Sequence, residues 1–294
     1  MKEVSVVPAR RPVPKRWQKG LVEVAPGVYA YLSGSGGPGL SNAGLVVGED
    51  EALAVDSLMV PPHTRAFRRA IRRATATPVR YLVNTHFHID HLGGNAFFRQ
   101  AAIIAHENCR QEALAAGIPA ETLAQRMPRF AAAFRQMQLV PPQITYSDRL
   151  VLHVGGREVH LLYYGPGHTR GDSLVYLPRE KVLFAGDIVF RYVTPGPFDA
   201  HVTGWIRVLD RARDLDVETV VPGHGPLGDR RALAEMRDYL ARVRREVRKS
   251  FQEGLPPEEA ARRLRLGGYY DAWAARERLP VLVRRLYMEL RGEL

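Results

Sequence analysis

Between Asn84 and Gly94 the chain reads Asn-Thr-His-Phe-His-Ile-Asp-His-Leu-Gly-Gly. His86 and His88 stand two apart at the end of VRYLVNTHF, which reads as a strand, so both imidazoles project from one face. Asp90 and His91 follow on the turn into a helix, which swings them back toward the same point, and Gly93 and Gly94 let that turn approach closely. Imidazole and carboxylate are the ligands that zinc takes. Three more positions follow strand-like runs, each flanked by Gly or Pro: His168 in Pro-Gly-His-Thr with Thr169 beside it, Asp187 in Ala-Gly-Asp, and His224 in Pro-Gly-His-Gly. Strand ends of this kind are where α/β proteins gather a site. Five histidines and two aspartates exceed the needs of one tetrahedral ion. They suit two ions, roughly 3.5–4 Å apart, that share a carboxylate and turn a bridging water into hydroxide near neutral pH. That hydroxide is the expected nucleophile, so no Ser or Cys is required. Cys109, in IAHENCRQEA, reads as a buried helix edge.

The elements that must position these residues alternate along the chain. Residues 21–60 read as short strands with turns at Pro26-Gly27 and around Gly48, and Gly34–Gly39 forms a flexible loop between them. Pro61-Pro62 opens an Arg-rich helix to about Arg73, and a helix begins again from Gly94. Residues 107–140 are helical with breaks at Gly117-Ile118-Pro119 and Pro128. DRLVLHVGGREVHLLYY predicts a hairpin turning at Gly155-Gly156, and DSLVYLP and KVLFAGD predict two further strands. A helix over about Trp205–Asp214, a strand at ETVVP and a long helical segment complete the series. Strand groups alternating with helices predict sheets sandwiched between helices. Three regions result: a basic, Pro-rich arm over 1–20, extended from Pro8 to Pro14; a metal-binding domain over 21–228; and a helical segment over 229–294. In the last, Leu233, Met236, Leu240, Val243 and Val247 form a stripe at helical spacing. The stripe is expected to pack on the sandwich, with a cap over the pocket or a homodimer surface as alternatives.

Composition bounds the rest. The chain has 294 residues, of which 46% are hydrophobic and 25% charged, enough for a sizeable core and incompatible with a disordered chain. One cysteine excludes a disulfide framework. No apolar run approaches the ~18–20 residues of a membrane span, and the first twenty residues lack the apolar stretch of a secretory signal, so a cytoplasmic protein is expected. The net charge of +11 raises the question of a nucleic-acid partner. The excess sits at the two ends, +5 over residues 1–20 and +6 over 230–294, while 21–229 is neutral. A small-molecule substrate therefore fits better than nucleic acid.

The ligand motifs, in this order, resemble the metallo-β-lactamase superfamily across about residues 21–228. The resemblance implies an α/β (α+β) fold, a four-layer αββα sandwich of two mixed β-sheets flanked by helices, here with a C-terminal helical extension. It also implies a dinuclear metal site at one edge. By position, His86, His88 and His168 would bind a first Zn2+ and Asp90, His91 and His224 a second. Asp187 would bridge, Asp90 would also shuttle a proton, and Asp56, after EALAV, would support the ligand loops with Thr169 beside His168. Such an enzyme hydrolyses an ester, thioester, lactone or amide. Fe or Mn can replace zinc in histidine and carboxylate sites. The superfamily's β-lactamases with a second-site cysteine carry it where this chain has Asp187, which points away from antibiotic hydrolysis except as weak promiscuous activity. The C-terminal run from Gly254 is similar to a branch of zinc metallohydrolases tied to sulfur-oxidation or quinoprotein systems. Two alternatives use the same framework: a mononuclear-iron persulfide oxygenase and a metal-dependent nuclease or phosphodiesterase.

Other residues are open at this stage. Arg191 and Tyr192, four and five after Asp187, are expected in a loop bordering the metals, where they could hold a carboxylate and an oxyanion. His63 and His201 could line the cleft. His106 reads as a surface residue near a helix start, and His153 and His160 as ordinary strand residues.

Overall fold

The computed structural model describes Val13, residues 17–34 and residues 40–294. The expected Pro8–Pro14 arm, Val13 apart, and the glycine loop after Gly34 lie outside the described residues. Period-two burial builds the first sheet. In β2 (Val28–Leu32), Val28, Ala30 and Leu32 are buried and the residues between them are half-buried. β1 (Gly20–Ala25), β2, β3 (Ala43–Val47) and β4 (Ala52–Val55) form an antiparallel meander. β5 (Val79–Val83), β6 (Ala102–His106) and β7 (Ile144–Tyr146) then add in parallel, giving seven strands in chain order. The parallel additions need crossovers. α1 (Pro61–Ala74) fills the first, α2 (Ile89–Leu92) the second, and α3 (Glu107–Ala116), α4 (Ala120–Arg126) and α5 (Ala131–Arg135) the third.

The second sheet runs in the order β12-β11-β10-β9-β8. β8 (Arg149–Val154), β9 (Arg157–Leu162), β10 (Leu174–Leu177) and β11 (Val182–Phe190) are antiparallel neighbours. α6 (Val202–Ala212) carries the chain over to β12 (Thr219–His224), parallel to β11. Both sheets are therefore mixed, and their facing sides share one apolar layer. Leu53, Val55, Val83 and Ile104 of the first meet Leu161, Val175, Val182 and Phe184 of the second.

Neighbouring positions on the same strands point the other way. Ala52 and Ala54 join Phe67 and Ile71 of α1 in an outer layer. Leu174 and Tyr176 face α6 and α7 (Arg231–Gln252), which packs in turn on α8 (Pro257–Arg263) and α10 (Leu279–Arg291), with α9 (Gly268–Asp271) between them. Helices thus cover both outer faces, a four-layer αββα sandwich with a C-terminal helical extension. Strands buried on both faces read as continuous apolar runs, as β10 and β11 do. The Leu233–Val247 stripe of α7 is buried throughout in the layer against the second sheet. No helix among the described residues is long and apolar enough to cross a membrane.

Four elements depart from expectation, β7 among them, since the strands were expected to resume only at Asp148. β6 was not anticipated, because AAIIAH is equally an Ala-rich helix until its neighbours are known. The segment after Gly94 is a single 3-10 turn, Asn95–Phe98, since Asn95 is tied to Asn84, Ser57 and the Val140 carbonyl and leaves no freedom for a longer helix. β11 continues past Asp187 to Phe190, carrying into the sheet residues expected in a loop.

The buried α7 stripe makes the extension part of the core. Leu240→Ala is expected to cost about 2–5 kcal/mol, with helical circular dichroism and tryptophan fluorescence lost in one cooperative transition during denaturant unfolding.

Candidate metal centre

Asp56 follows directly on β4 with a left-handed backbone, φ 59°. That turn aims its carboxylate beneath the segment leaving β5. Oδ1 accepts from Thr85 N at 2.7 Å, and Oδ2 accepts from Thr85 Oγ1 at 2.8 Å and from His91 Nδ1 at 2.7 Å. A carboxylate can only accept, so Thr85 spends its single hydroxyl proton on Asp56 and accepts from His86 Nδ1, 3.1 Å away. Nε2 of both His86 and His91 is thereby turned inward, and neither has a hydrogen-bond partner.

Two of the other three imidazoles, those of His88 and His224, are oriented from outside in the same manner. His88 Nε2 lies 2.8 Å from Asp199 Oδ2, which leaves Nδ1 facing His168 Nε2 at 2.9 Å. His224 Nδ1 donates to the Leu40 carbonyl at 3.1 Å, and its Nε2 faces Asp90 Oδ2 at 3.2 Å. His168 lies on the turn between β9 and β10, where Thr169 donates through N and Oγ1 to the buried Asp172. Burial pushes the Asp172 carboxyl up to about 7, more than its bonds to Thr169 lower it.

Asp187, on β11, stands at the middle. Its Oδ1 is 3.1 Å from His91 Nε2, and its Oδ2 is 3.2 Å from His168 Nε2, 3.4 Å from His224 Nε2 and 3.8 Å from His86 Nε2. Two sets result, each with ligand atoms within 4.8 Å of one another: His86, His88, His168 and Asp187 in one, and Asp90, His91 and His224 in the other. All seven sequence-predicted ligands come together, and both sheets contribute, β5 and α2 on one side and β11, β12 and the β9–β10 turn on the other.

The electrostatics follow from the crowding. Burial opposes ionisation of Asp187, but His224, His91 and His168 around it outweigh burial and hold its carboxyl well below the usual range. Burial would also lower His91, yet Asp187, Asp56 and Asp90 hold it well above its ordinary value. His224 is pushed up to about 9, with Asp187 and Asp90 overcoming its burial. His86 and His168 go the other way, chiefly by burial, His168 to about 4. The buried carboxylates thus draw His91 and His224 toward their charged form, while burial turns His86 and His168 away from it.

A cleft of about 690 Å³ opens over Asp90, His88, Asp187 and His224. Asp90 is the ligand carboxylate that reaches it most, with 18% of its side chain exposed against 4% for Asp187. His63 lines the cleft. Arg191 and Tyr192 do not. Because β11 runs on to Phe190, the chain turns at Tyr192, φ 60°, into the interior. Tyr192 is buried against Tyr269 and Trp273, and the Arg191 guanidinium covers the Tyr192 ring and donates to the Leu227 carbonyl. Both serve packing beneath the C-terminal helices. His201 caps α6, accepting from Gly204 N at 2.9 Å, and is likewise outside the cleft lining. His106 is buried, not on the surface, and accepts from Asn108 N at the start of α3.

Several contributors carry no motif. Asp199 and Phe198 come from the β11–α6 loop, which the C-terminal segment clamps. Thr194 N donates to Ala274 O at 2.8 Å, Arg278 donates to Thr194 O at 3.3 Å, and Arg285 donates to Ala200 O at 2.9 Å. Glu289 accepts from Val202 N and Thr203 N, closing the first turn of α6. Asn42 Nδ2 donates to Pro222 O and Gly225 O and so fixes the turn bearing His224. Position 223 in that turn has no room for a Cβ, which would overlap Asp187 Oδ1. Gly223→Ala is therefore expected to displace the Asp187 carboxylate and abolish bound metal in elemental analysis, with far-UV circular dichroism unchanged.

Comparison with known proteins agrees with this geometry. The family model of the metallo-beta-lactamase superfamily matches residues 36–224. The alpha subunit of 2,4-dinitroanisole O-demethylase from Nocardioides sp. (strain JS1661) is 32% identical over 183 residues, 61% of this chain and 51% of that protein. An acyl-coenzyme A thioesterase of Bos taurus is 28% identical over 191 residues, 60% of this chain and 67% of that one. Among solved structures, the stereoselective inverting sec-alkylsulfatase from Pseudomonas sp. superposes with a TM-score of 0.72 at 20% identity, covering 94% of this chain and 51% of its own. This chain therefore spans about half the length of the demethylase subunit and of the sulfatase, whose shared fold takes in the C-terminal helices. The matched family model reaches from residue 36 to His224, the last of the seven clustered side chains, and the chain belongs to the metallo-β-lactamase superfamily.

Proposed function

We propose that the protein is a dinuclear metal hydrolase acting on the ester, thioester, lactone or amide carbonyl of a small molecule. The observation that carries this reading is the pair of adjacent ligand sets with Asp187 between them. The donors fit such a group. His86 Nε2, His91 Nε2 and Asp187 Oδ1 are buried without hydrogen-bond partners, and four of the five imidazoles are oriented through their outer nitrogens. His86, His88 and His168 would hold one cation, Asp90, His91 and His224 the other, with Asp187 shared. Zinc suits these donors, and iron or manganese can occupy the same set. Two such cations would supply Lewis acidity toward the substrate oxygen and bring the pKa of water near neutrality.

The chain's own residues do the rest. Asp90, partly open to the cleft and bonded to His224, is placed to receive a proton and hand it to the leaving group. Phe190, Met59 and Ile89 wall the cleft beside the ligands and give it an apolar side. The thioesterase relative supports a thioester among the candidate bonds. The second ligand set favours two metals over a mononuclear-iron oxygenase, which would leave Asp90, His91 and His224 without a task.

The deciding experiment is a panel of esters, thioesters, lactones, a phosphodiester and a β-lactam offered to zinc-loaded protein. Chelator-sensitive turnover of a carbonyl substrate is expected. His88→Ala should lower kcat/KM about a hundredfold or more and reduce bound zinc. An unaltered metal content and rate in that variant would end the hydrolase reading. Asp56→Asn, which removes the anchor of His91 and Thr85, should weaken metal affinity about 10–100-fold.

Proton linkage gives a third expectation. His224 is protonated up to about 9 in the metal-free protein, and coordination needs its Nε2 lone pair. Metal uptake should therefore release protons and the apparent affinity should climb as pH rises toward 9, measurable by titration calorimetry in buffers of different ionisation enthalpy.

A further inference from the structure

The cleft has features that the ligand sets do not use. Its wall beyond the centre is apolar, formed by Met59, Val60, Leu123, Met127, Phe130 and Phe198. Phe198 is 60% exposed at its rim, an unusual position for a large aromatic side chain. Arg126, Arg129 and Arg278 share this lining, from α4, the turn after it and the C-terminal segment. The carboxylates in the lining are Asp90 and Asp187, both already committed to the centre. Among the described residues none of the three arginines pairs with a carboxylate. Two are held without one: Arg278 by the Thr194 carbonyl and Arg129 over the Phe130 ring at 4.6 Å. Burial first, and then the charges of Lys19 and Arg129, lower the pKa of His63 in the same wall.

Unpaired guanidinium groups beside a continuous apolar wall are complementary to one kind of ligand. We propose that the cleft selects an anionic amphiphile, a small molecule whose alkyl or acyl chain lies along the Met59–Phe198 wall and whose oxyanion, distinct from the bond attacked, is held by Arg126, Arg129 and Arg278. The assignment of the attacked bond rests on the hydrolase reading. The binding of chain and oxyanion does not, and it is tested separately.

The probes are octane-1-sulfonate and 1-octanol, which share a tail and differ in charge, titrated into metal-loaded and metal-free protein by calorimetry. The sulfonate is expected to bind at least about tenfold more tightly than the alcohol in both forms, with the advantage shrinking at high salt. Arg126→Gln/Arg129→Gln/Arg278→Gln should abolish that advantage and leave the alcohol's affinity unchanged. Because Arg278 also secures Thr194, the double variant Arg126→Gln/Arg129→Gln serves if the triple variant fails to fold, and it should lose most of the advantage. Equal binding of the two probes by the native protein, or an undiminished sulfonate preference in the variants, would overturn the proposal. Either result would leave the hydrolase reading standing, because zinc content and turnover of neutral esters are read independently. A native sulfonate preference with no turnover of any ester, thioester, lactone or amide would do the opposite, supporting the binding proposal and removing the hydrolase.

Discussion

One buried carboxylate, that of Asp56, sets the geometry on which the centre depends. It accepts three hydrogen bonds, two from Thr85 and one from His91, and through the Thr85 hydroxyl it also decides which nitrogen of His86 points inward. Reaching that position requires a left-handed backbone at a non-glycine residue, which the surrounding bonds must over-determine. Ser57 next to it is bound just as closely: its N donates to the His91 carbonyl at 2.7 Å, and its hydroxyl reaches Asn95 at 2.7 Å. The turn between β5 and α2 is therefore pinned at both ends before any ligand atom is counted. A carboxylate bonded to an imidazole that in turn faces the centre is the arrangement that fixes both tautomer and ring orientation.

The C-terminal segment is the second determinant. It adds no member to either ligand set, yet four of its residues hold the β11–α6 loop through Ala274, Arg278, Arg285 and Glu289. That loop supplies Asp199 to His88 and Phe198 to the cleft rim. Arg278 is both a clamp on the loop and part of the cleft wall, so the segment is continuous with the site's construction.

The centre was legible because its residues carry local signals. His86, His88, Asp90 and His91 fall within six positions, and His168, Asp187 and His224 each stand in a Gly- or Pro-marked turn after an apolar run. Asp56 was legible only through family likeness. Asp199, 111 residues from the His88 it bonds, has no spacing or flanking pattern to betray it, and neither Asp172 nor Arg278 has one. Arg191 and Tyr192 misled for a related reason. Proximity in sequence to Asp187 implied side chains in the cleft, but the continuation of β11 to Phe190 turned both side chains away from it, Tyr192 against Trp273. The layers were readable from period-two and helical patterning, whereas β6, short and Ala-rich, became a strand only through its neighbours β5 and β7.

The division of ligands between the sheets has a mechanical side. His86, His88, Asp90 and His91 ride on the first sheet, and His168, Asp187 and His224 on the second, across an interface whose middle is apolar and whose edges carry a few hydrogen bonds, such as Asn42 Nδ2 to Pro222 O and Ser173 N to Thr85 O. Apolar layers resist separation better than they resist sliding. Side chains that meet across the seam add shear stiffness at the edge where the cleft opens. The site is thus also a rivet, and the alignment of the two sheets and the spacing of the reactive groups are a single degree of freedom.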